Sequence, residues 1–142
     1  MKMIKFLDLE KINSLHSKEL IEKSKNIINS GWYLNGKSLF EFEQNFSKYI
    51  NTSHVVGVGN GLDALKIILK AYLEKGTFKI GQEVIVPANT YIASIMSILD
   101  VGLKPVLVEP CNKTYNINFD LIEEKITKNT CAIMLVHLYG RV

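Results

Sequence analysis

The sequence predicts an α/β domain, a parallel-rich sheet flanked by helices, and two observations carry that prediction. Short β-branched apolar runs, "HVVGV", "EVIVP", "KPVLVEP" and "CAIMLVHLYG", alternate with helical segments from His54 onward, the pattern of a parallel sheet covered by helices. The runs are apolar throughout rather than alternating, as strands covered on both faces should be. Before His54 the pattern is helical only. Residues 1–53 are therefore expected to form an N-terminal helical arm and residues 54–142 the α/β domain.

Each element has a local reason. In "SKELIEKSKNIINSG", Ser17 is placed to cap a helix, Leu20, Ile21, Ile27 and Ile28 supply an apolar stripe, and Gly31 can end it. "GWYLNG" then makes a glycine-bounded turn rich in apolar side chains. "SLFEFEQNFSKYI" is a second helix, with Leu39, Phe42, Phe46 and Tyr49 recurring at intervals of three and four. "HVVGV" reads as the first strand. Residues 62–74 follow as a helix with Leu65, Ile68, Leu69 and Tyr72 on one face. "EVIVP" is the next strand, "TYIASIMSILDVG" a helix, "KPVLVEP" a strand, "NFDLIEEKIT" a helical segment and "CAIMLVHLYG" the fourth strand. Nothing after "LYGRV" covers that last strand, which leads to the expectation of a domain cut short.

Composition narrows the classes. Of 142 residues, 47% are hydrophobic and 22% charged, the mixture of an ordinary globular protein. The formal net charge is only +3, and the lysines are scattered along helical stretches with no aromatic-interleaved basic cluster, which argues against a nucleic-acid partner. Cys111 and Cys131 form no C-x-x-C pair and suggest no metal site. The opening "MKMIKFLDLEK" lacks a secretion-type apolar region, and no apolar run approaches about 18 residues. These features point to the reducing cytoplasm and away from a membrane.

The stretch "GVGNGLDALKIIL", residues 57–69, sets glycines at alternate positions between an apolar run and an amphipathic one. The first amides of a helix lack intrahelical partners and sit at the positive end of its dipole, so such a turn can hold an anion. Asn60 adds a side-chain donor there, and Asp63 could cap the helix. A plain strand-to-helix turn is the competing reading, and this segment alone leaves both open. A Walker loop is disfavoured because Leu62-Asp63 stands where lysine and a hydroxyl are needed. A dinucleotide fingerprint is disfavoured because Leu62 replaces its last glycine and no acid ends the next strand. "VPANTYIAS" sets Thr90 and Tyr91 at the next strand-to-helix turn, where ligands of parallel sheets bind. A phosphate turn beside an aromatic shelf suggests a small phosphorylated aromatic cofactor.

"SGWYLNG", "GVGNGLDAL", "EVIVPANTYIAS", "PVLVEP" and "VHLYG", in that order, closely resemble the N-terminal part of the DegT/StrS family of sugar aminotransferases. The resemblance runs from "FLDL" to "LYG" and implies part of the large domain of a fold type I enzyme that uses pyridoxal 5'-phosphate. Within the family the chain looks most like enzymes that aminate nucleotide-linked keto-6-deoxyhexoses, at the 3-keto position, with glutamate as amino donor. Carried over residue by residue, the likeness assigns Asn60, Gly61 and Leu62 to the cofactor phosphate, Asp63 to the helix start behind them, and Tyr91 to stacking on the pyridine ring. It sets Tyr33 near the active site at a homodimer interface, and His137 and Tyr139, at the end of the last strand, near the ring and substrate. The family's ring-pairing aspartate and Schiff-base lysine match no residue here. The resemblance therefore implies the front portion of such an enzyme, inactive by itself. Two other readings are a non-catalytic binding or assembly module and a nucleotide-binding α/β domain.

Overall fold

The structure is a computed structural model that describes residues 4–142. Met1–Met3, at the head of the opening stretch, lie outside the described residues. The chain divides after Gly57 into two compact units.

The first unit is helical: α1 (Leu9–Ser14), α2 (Ser17–Ser30) and α3 (Lys37–Tyr49). Asp8 caps α1 by accepting from the Lys11 amide. Ser17 does not cap α2, contrary to expectation. It is the first helical residue, and its hydroxyl is turned back to the Ser14 carbonyl across the two-residue link from α1. Gly31 does end α2, with a left-handed φ of 66° that costs a glycine least. The following turn is closed by the Trp32 indole N–H, which donates to the Leu34 carbonyl at 2.9 Å. Gly36 starts α3, and a Cβ there would come within 3.2 Å of the indole ring. Phe42 and Phe46 stack on α3 with centroids 5.6 Å apart. None of residues 4–57 is fully buried, and of the apolar stripes only Ile27 and Leu39 are partly covered.

The second unit carries a three-stranded, all-parallel sheet in the order β2-β1-β3, with β1 (Glu83–Pro87), β2 (Lys104–Val108) and β3 (Thr130–Ile133). Helices α4 (Gly61–Glu74) and α5 (Ile92–Asp100) accompany it. The side chains of β1 alternate between two cores, as the period of a strand requires. Val84 and Val86 join Leu69 of α4, Ile98 of α5, Phe78, Val101 and Leu103 in one cluster. Ile85 joins Val108, Ile117 and Ile122 in the other, beneath two short 3-10 turns, Phe119–Leu121 and Glu123–Lys125. Burying each such side chain contributes about 1.5–3 kcal/mol. Among the described helices, none is long and apolar enough to cross a membrane.

Several expectations are corrected here. "HVVGV" forms no strand, which leaves three strands rather than four. A strand exists only by pairing, and this run is hydrogen-bonded to none of the three described strands. Only β1 is buried along its length; β2 and β3 are edge strands and stay partly exposed. Pro105 suits the β2 edge, because the Lys104 amide already donates toward β1 and the proline lacks only an outward-facing donor. On α4 the inward face is Leu69 with Leu73, while Ile68 is half-exposed and Tyr72 stacks on Phe78 at 4.7 Å. "NFDLIEEKIT" makes two 3-10 turns rather than a longer helix, since Ile126 takes an extended conformation and stops it. "CAIMLVHLYG" is strand only as far as Ile133.

Candidate functional site

The site is built where two helices of the second unit begin. Asn60, in an extended conformation, is the cap of α4. Its side-chain oxygen accepts from the Asp63 amide at 3.0 Å, and its side-chain N–H donates to the Asp63 carboxylate at 2.9 Å. This reverses the expected role of Asp63: Asn60 caps the helix, and Asp63, one turn inside, holds the cap in place. The Ala64 amide already donates to the Asn60 carbonyl. Gly61 and Leu62 are thus the first-turn residues whose amides have no partner among the described residues. These two N–H groups stand unpaired at the positive end of a helix of 14 residues, an arrangement that can accept an anion. A Cβ on Gly61 would meet nothing within 4 Å, so the glycine leaves the amides openly approachable.

Tyr91 occupies the corresponding cap position of α5. The residue is 79% exposed. Behind it Thr90 and Ser94 share a hydroxyl–hydroxyl hydrogen bond of 3.0 Å, which ties the turn to the first turn of α5. Asn60, Gly61, Leu62, Tyr91, Ile92 and Met96 all line one open cavity of about 790 Å³. Two strand-separated stretches of sequence, about thirty residues apart, therefore converge on one concave surface. An ion pair between Lys66 and Asp100, at 3.0 Å, joins the same two helices further along.

The remaining sequence-predicted residues lie elsewhere. Tyr33 belongs to the first unit, where its hydroxyl reaches the Ile28 carbonyl at 3.4 Å. His137 and Tyr139 are not at a strand end: β3 stops four residues before His137, and a 3-10 turn, Leu138–Gly140, follows it. Neither lines the cavity. The strand is short because the Met134 amide makes the last bond to the Ile85 carbonyl and the chain then leaves the ladder. The thiols do not take part either. Burial pushes the Cys131 thiol up, and it donates to the Glu83 carbonyl, whereas hydrogen bonding from the Lys113 backbone pulls the Cys111 thiol down. Sequence reasoning missed Ile92 and Met96 as lining residues, although their spacing of four on α5 is the signal of a shared helix face. It also missed the Lys66–Asp100 pair, for which no local signal exists.

A parallel sheet flanked by helices, with two helix starts opening on one cavity, defines an α/β fold of the kind that holds ligands at its strand ends. The chain belongs to the DegT/DnrJ/EryC1/StrS aminotransferase family, whose model matches residues 15–142. It is 50% identical over 139 residues to the dTDP-3-amino-3,6-dideoxy-alpha-D-galactopyranose transaminase of Aneurinibacillus thermoaerophilus, covering 98% of this chain and 37% of that protein. Its fold matches the crystal structure of DesV from S. venezuelae with a TM-score of 0.89 and 38% identity, over 100% of this chain and 37% of the other. It also matches the PLP form of the putative sugar aminotransferase Spr1654 from Streptococcus pneumoniae, with a TM-score of 0.79, 36% identity, and coverage of 86% and 30%. The chain thus matches only 30–37% of the length of these relatives.

Proposed function

We propose that the complete protein carrying this sequence is a pyridoxal-phosphate-dependent aminotransferase acting on a nucleotide-linked keto-6-deoxy sugar. The observation that carries this reading is the meeting of the free Gly61 and Leu62 amides with the exposed Tyr91 ring in one cavity. That donor set fits the cofactor: two helix-start amides for a phosphate dianion and an aromatic face for a pyridine ring. When bound, pyridoxal phosphate supplies the electron sink that lets an amino group move between carbon skeletons. The chain's own residues would hold it: Gly61 and Leu62 bind the phosphate, the Asn60–Asp63 pair keeps their amides aimed, and Tyr91 orients the ring.

Similarity to a dTDP-3-amino-3,6-dideoxygalactose transaminase supports the finer reading, amination at the 3-keto position of a dTDP-linked sugar, with glutamate as donor. Two free cysteines suit the cytoplasm as its compartment. The test is direct. The complete protein, loaded with cofactor and given glutamate and a dTDP-linked 3-keto-6-deoxy sugar, should release a keto acid and form the amino sugar; no product with any nucleotide-linked ketosugar overturns the reading. In the same assay Tyr91→Ala should weaken cofactor affinity about fivefold, from the loss of ~1 kcal/mol of stacking. Because Tyr91 is largely exposed, its denaturation midpoint should not move. An unchanged cofactor dissociation constant would reduce Tyr91 to a surface residue.

The complete protein is further proposed to be a homodimer. What supports it is the first unit, where Trp32, Tyr33, Leu34, Phe40 and Phe42 are all more than half exposed and no residue from 4 to 57 is buried. An apolar surface of that kind is ordinarily covered by further polypeptide, and a second copy is proposed to share in covering it. Sedimentation should give twice the protomer mass, and a fully active monomer would refute it.

A further inference from the structure

We infer that Lys66 and Asp100 are a positioning pair, whose ion pair ties α4 to α5 one helical turn beyond the cavity and sets how far the Gly61 and Leu62 amides stand from Tyr91. The cofactor half of this inference rests on the function proposed above; the tether between the helices stands without it.

The placement follows from helical spacing. Residues four apart share a helix face. On α4, Lys66 is one turn beyond Leu62; on α5, Asp100 ends the row Ile92, Met96, Asp100. Leu62, Ile92 and Met96 all line the cavity. The two rows therefore wall the cavity near the helix starts and meet one turn further on, where the Lys66 ammonium stands 3.0 Å from the Asp100 carboxylate. Asp100 also borders a second cavity, with Lys70 and Glu74 from further along α4. The ion pair thus crosses from helix to helix between two hollows.

The core and the ion pair act on different coordinates. Leu69 of α4 and Ile98 of α5 pack with Val84 and Val86 of β1, which seats each helix on the sheet. The ion pair acts along the line between the helices, because its attraction falls with the separation of the two charges. Its side chains are only 30% and 33% exposed, so solvent and salt screen it less than a fully exposed pair. Both helices are continuous, of 14 and 9 residues, and a shift at the pair is carried to their starts.

Those starts bear the groups assigned to the cofactor. A ligand that holds a phosphate and a flat ring in one frame meets the Gly61 and Leu62 amides and the Tyr91 ring together only at one separation of the two helices. Where the walls are free to move, the ligand must order them as it binds, and affinity falls.

The experiment uses the complete protein and two readouts. Denaturant midpoints are measured without ligand, and binding of pyridoxamine 5'-phosphate is measured by equilibrium dialysis. The amine of that probe forms no imine with a lysine, so its affinity reports the phosphate and ring contacts. Lys66→Met and Asp100→Asn should each weaken binding about threefold, the ratio carried by a partly covered ion pair. The double variant should bind no more weakly than either single one, Lys66→Arg should keep the affinity, and Lys66→Asp with Asp100→Lys should recover most of it. A direct charge effect on the phosphate has a different signature: Lys66→Met weakens binding, whereas Asp100→Asn removes a negative charge and tightens it. Tighter or unchanged binding in Asp100→Asn overturns the positioning role and leaves the aminotransferase reading intact. Additive midpoint losses in the single and double variants overturn the tether itself. If the wild-type protein binds no probe, the function proposed above and the cofactor half both fall, and the midpoints still decide the tether.

Discussion

Mixed with pyridoxal phosphate and passed through a desalting column, the 142-residue chain should retain no stoichiometric cofactor absorbance, and supplied with glutamate and a nucleotide-linked ketosugar it should release no keto acid. The reason lies in what the cavity contains. Its lining offers amides, apolar side chains and the Tyr91 ring, but no lysine. Without a covalent link to a lysine amine, retention depends on the Gly61 and Leu62 amides and one stacking face, which exchange with solvent as the free cofactor is removed. Lys66 lies nearest in sequence to the phosphate turn, and it is engaged by Asp100 at 3.0 Å. Proton transfer at the substrate carbon likewise needs a positioned base, and among the described lining residues none is titratable apart from the Tyr91 phenol. Absorbance that survives desalting and maps to a single lysine of this chain would overturn the assignment of the cavity.

Ile98→Ala should destabilise the complete protein by ~3 kcal/mol, a shift of about a hundredfold in the folding equilibrium. Ile98 is fully buried, in the cluster that presses α5 and α4 against Val84 and Val86 of β1. Truncation leaves a cavity that a sheet strand paired on both sides cannot move to fill. Ile98→Val removes only one methylene and should cost ~1 kcal/mol. Ile68→Ala, on the half-exposed side of α4, should cost less than Ile98→Ala. Denaturant midpoints at constant slope measure all three. Equal losses for Ile98→Ala and Ile98→Val would show that α5 is held by something other than this core. Because α5 carries Tyr91 at its start, Ile98→Ala should also lower cofactor occupancy in proportion to the unfolded fraction.

The parts of the fold that were legible share one property: their causes act within a few residues. The end of α2 at Gly31, the glycine turn ahead of α4 and the turn at Tyr91 follow from backbone sterics and helix-end hydrogen bonding. The apolar run "EVIVP" is a strand covered on both faces because its residue types leave it little else. Even so, which of Asn60 and Asp63 serves as cap was not decided by residue type, since either side chain can accept from a helix amide. The extended backbone of Asn60 decided it.

By itself, then, the sequence determined the α/β class, helices α2 to α5, the glycine turn, the aromatic at the second turn and, through its ordered motifs, the aminotransferase family. Tertiary structure alone decided that "HVVGV" has no ladder here, that β3 ends at Ile133, and that the two helix starts open on one cavity. It alone brought Lys66 of α4 to Asp100 of α5. The physical reason is common to these cases. A strand needs a partner, a cavity needs two walls and an ion pair needs both its charges, and each is supplied by chain remote in sequence, where neither propensity nor period reaches.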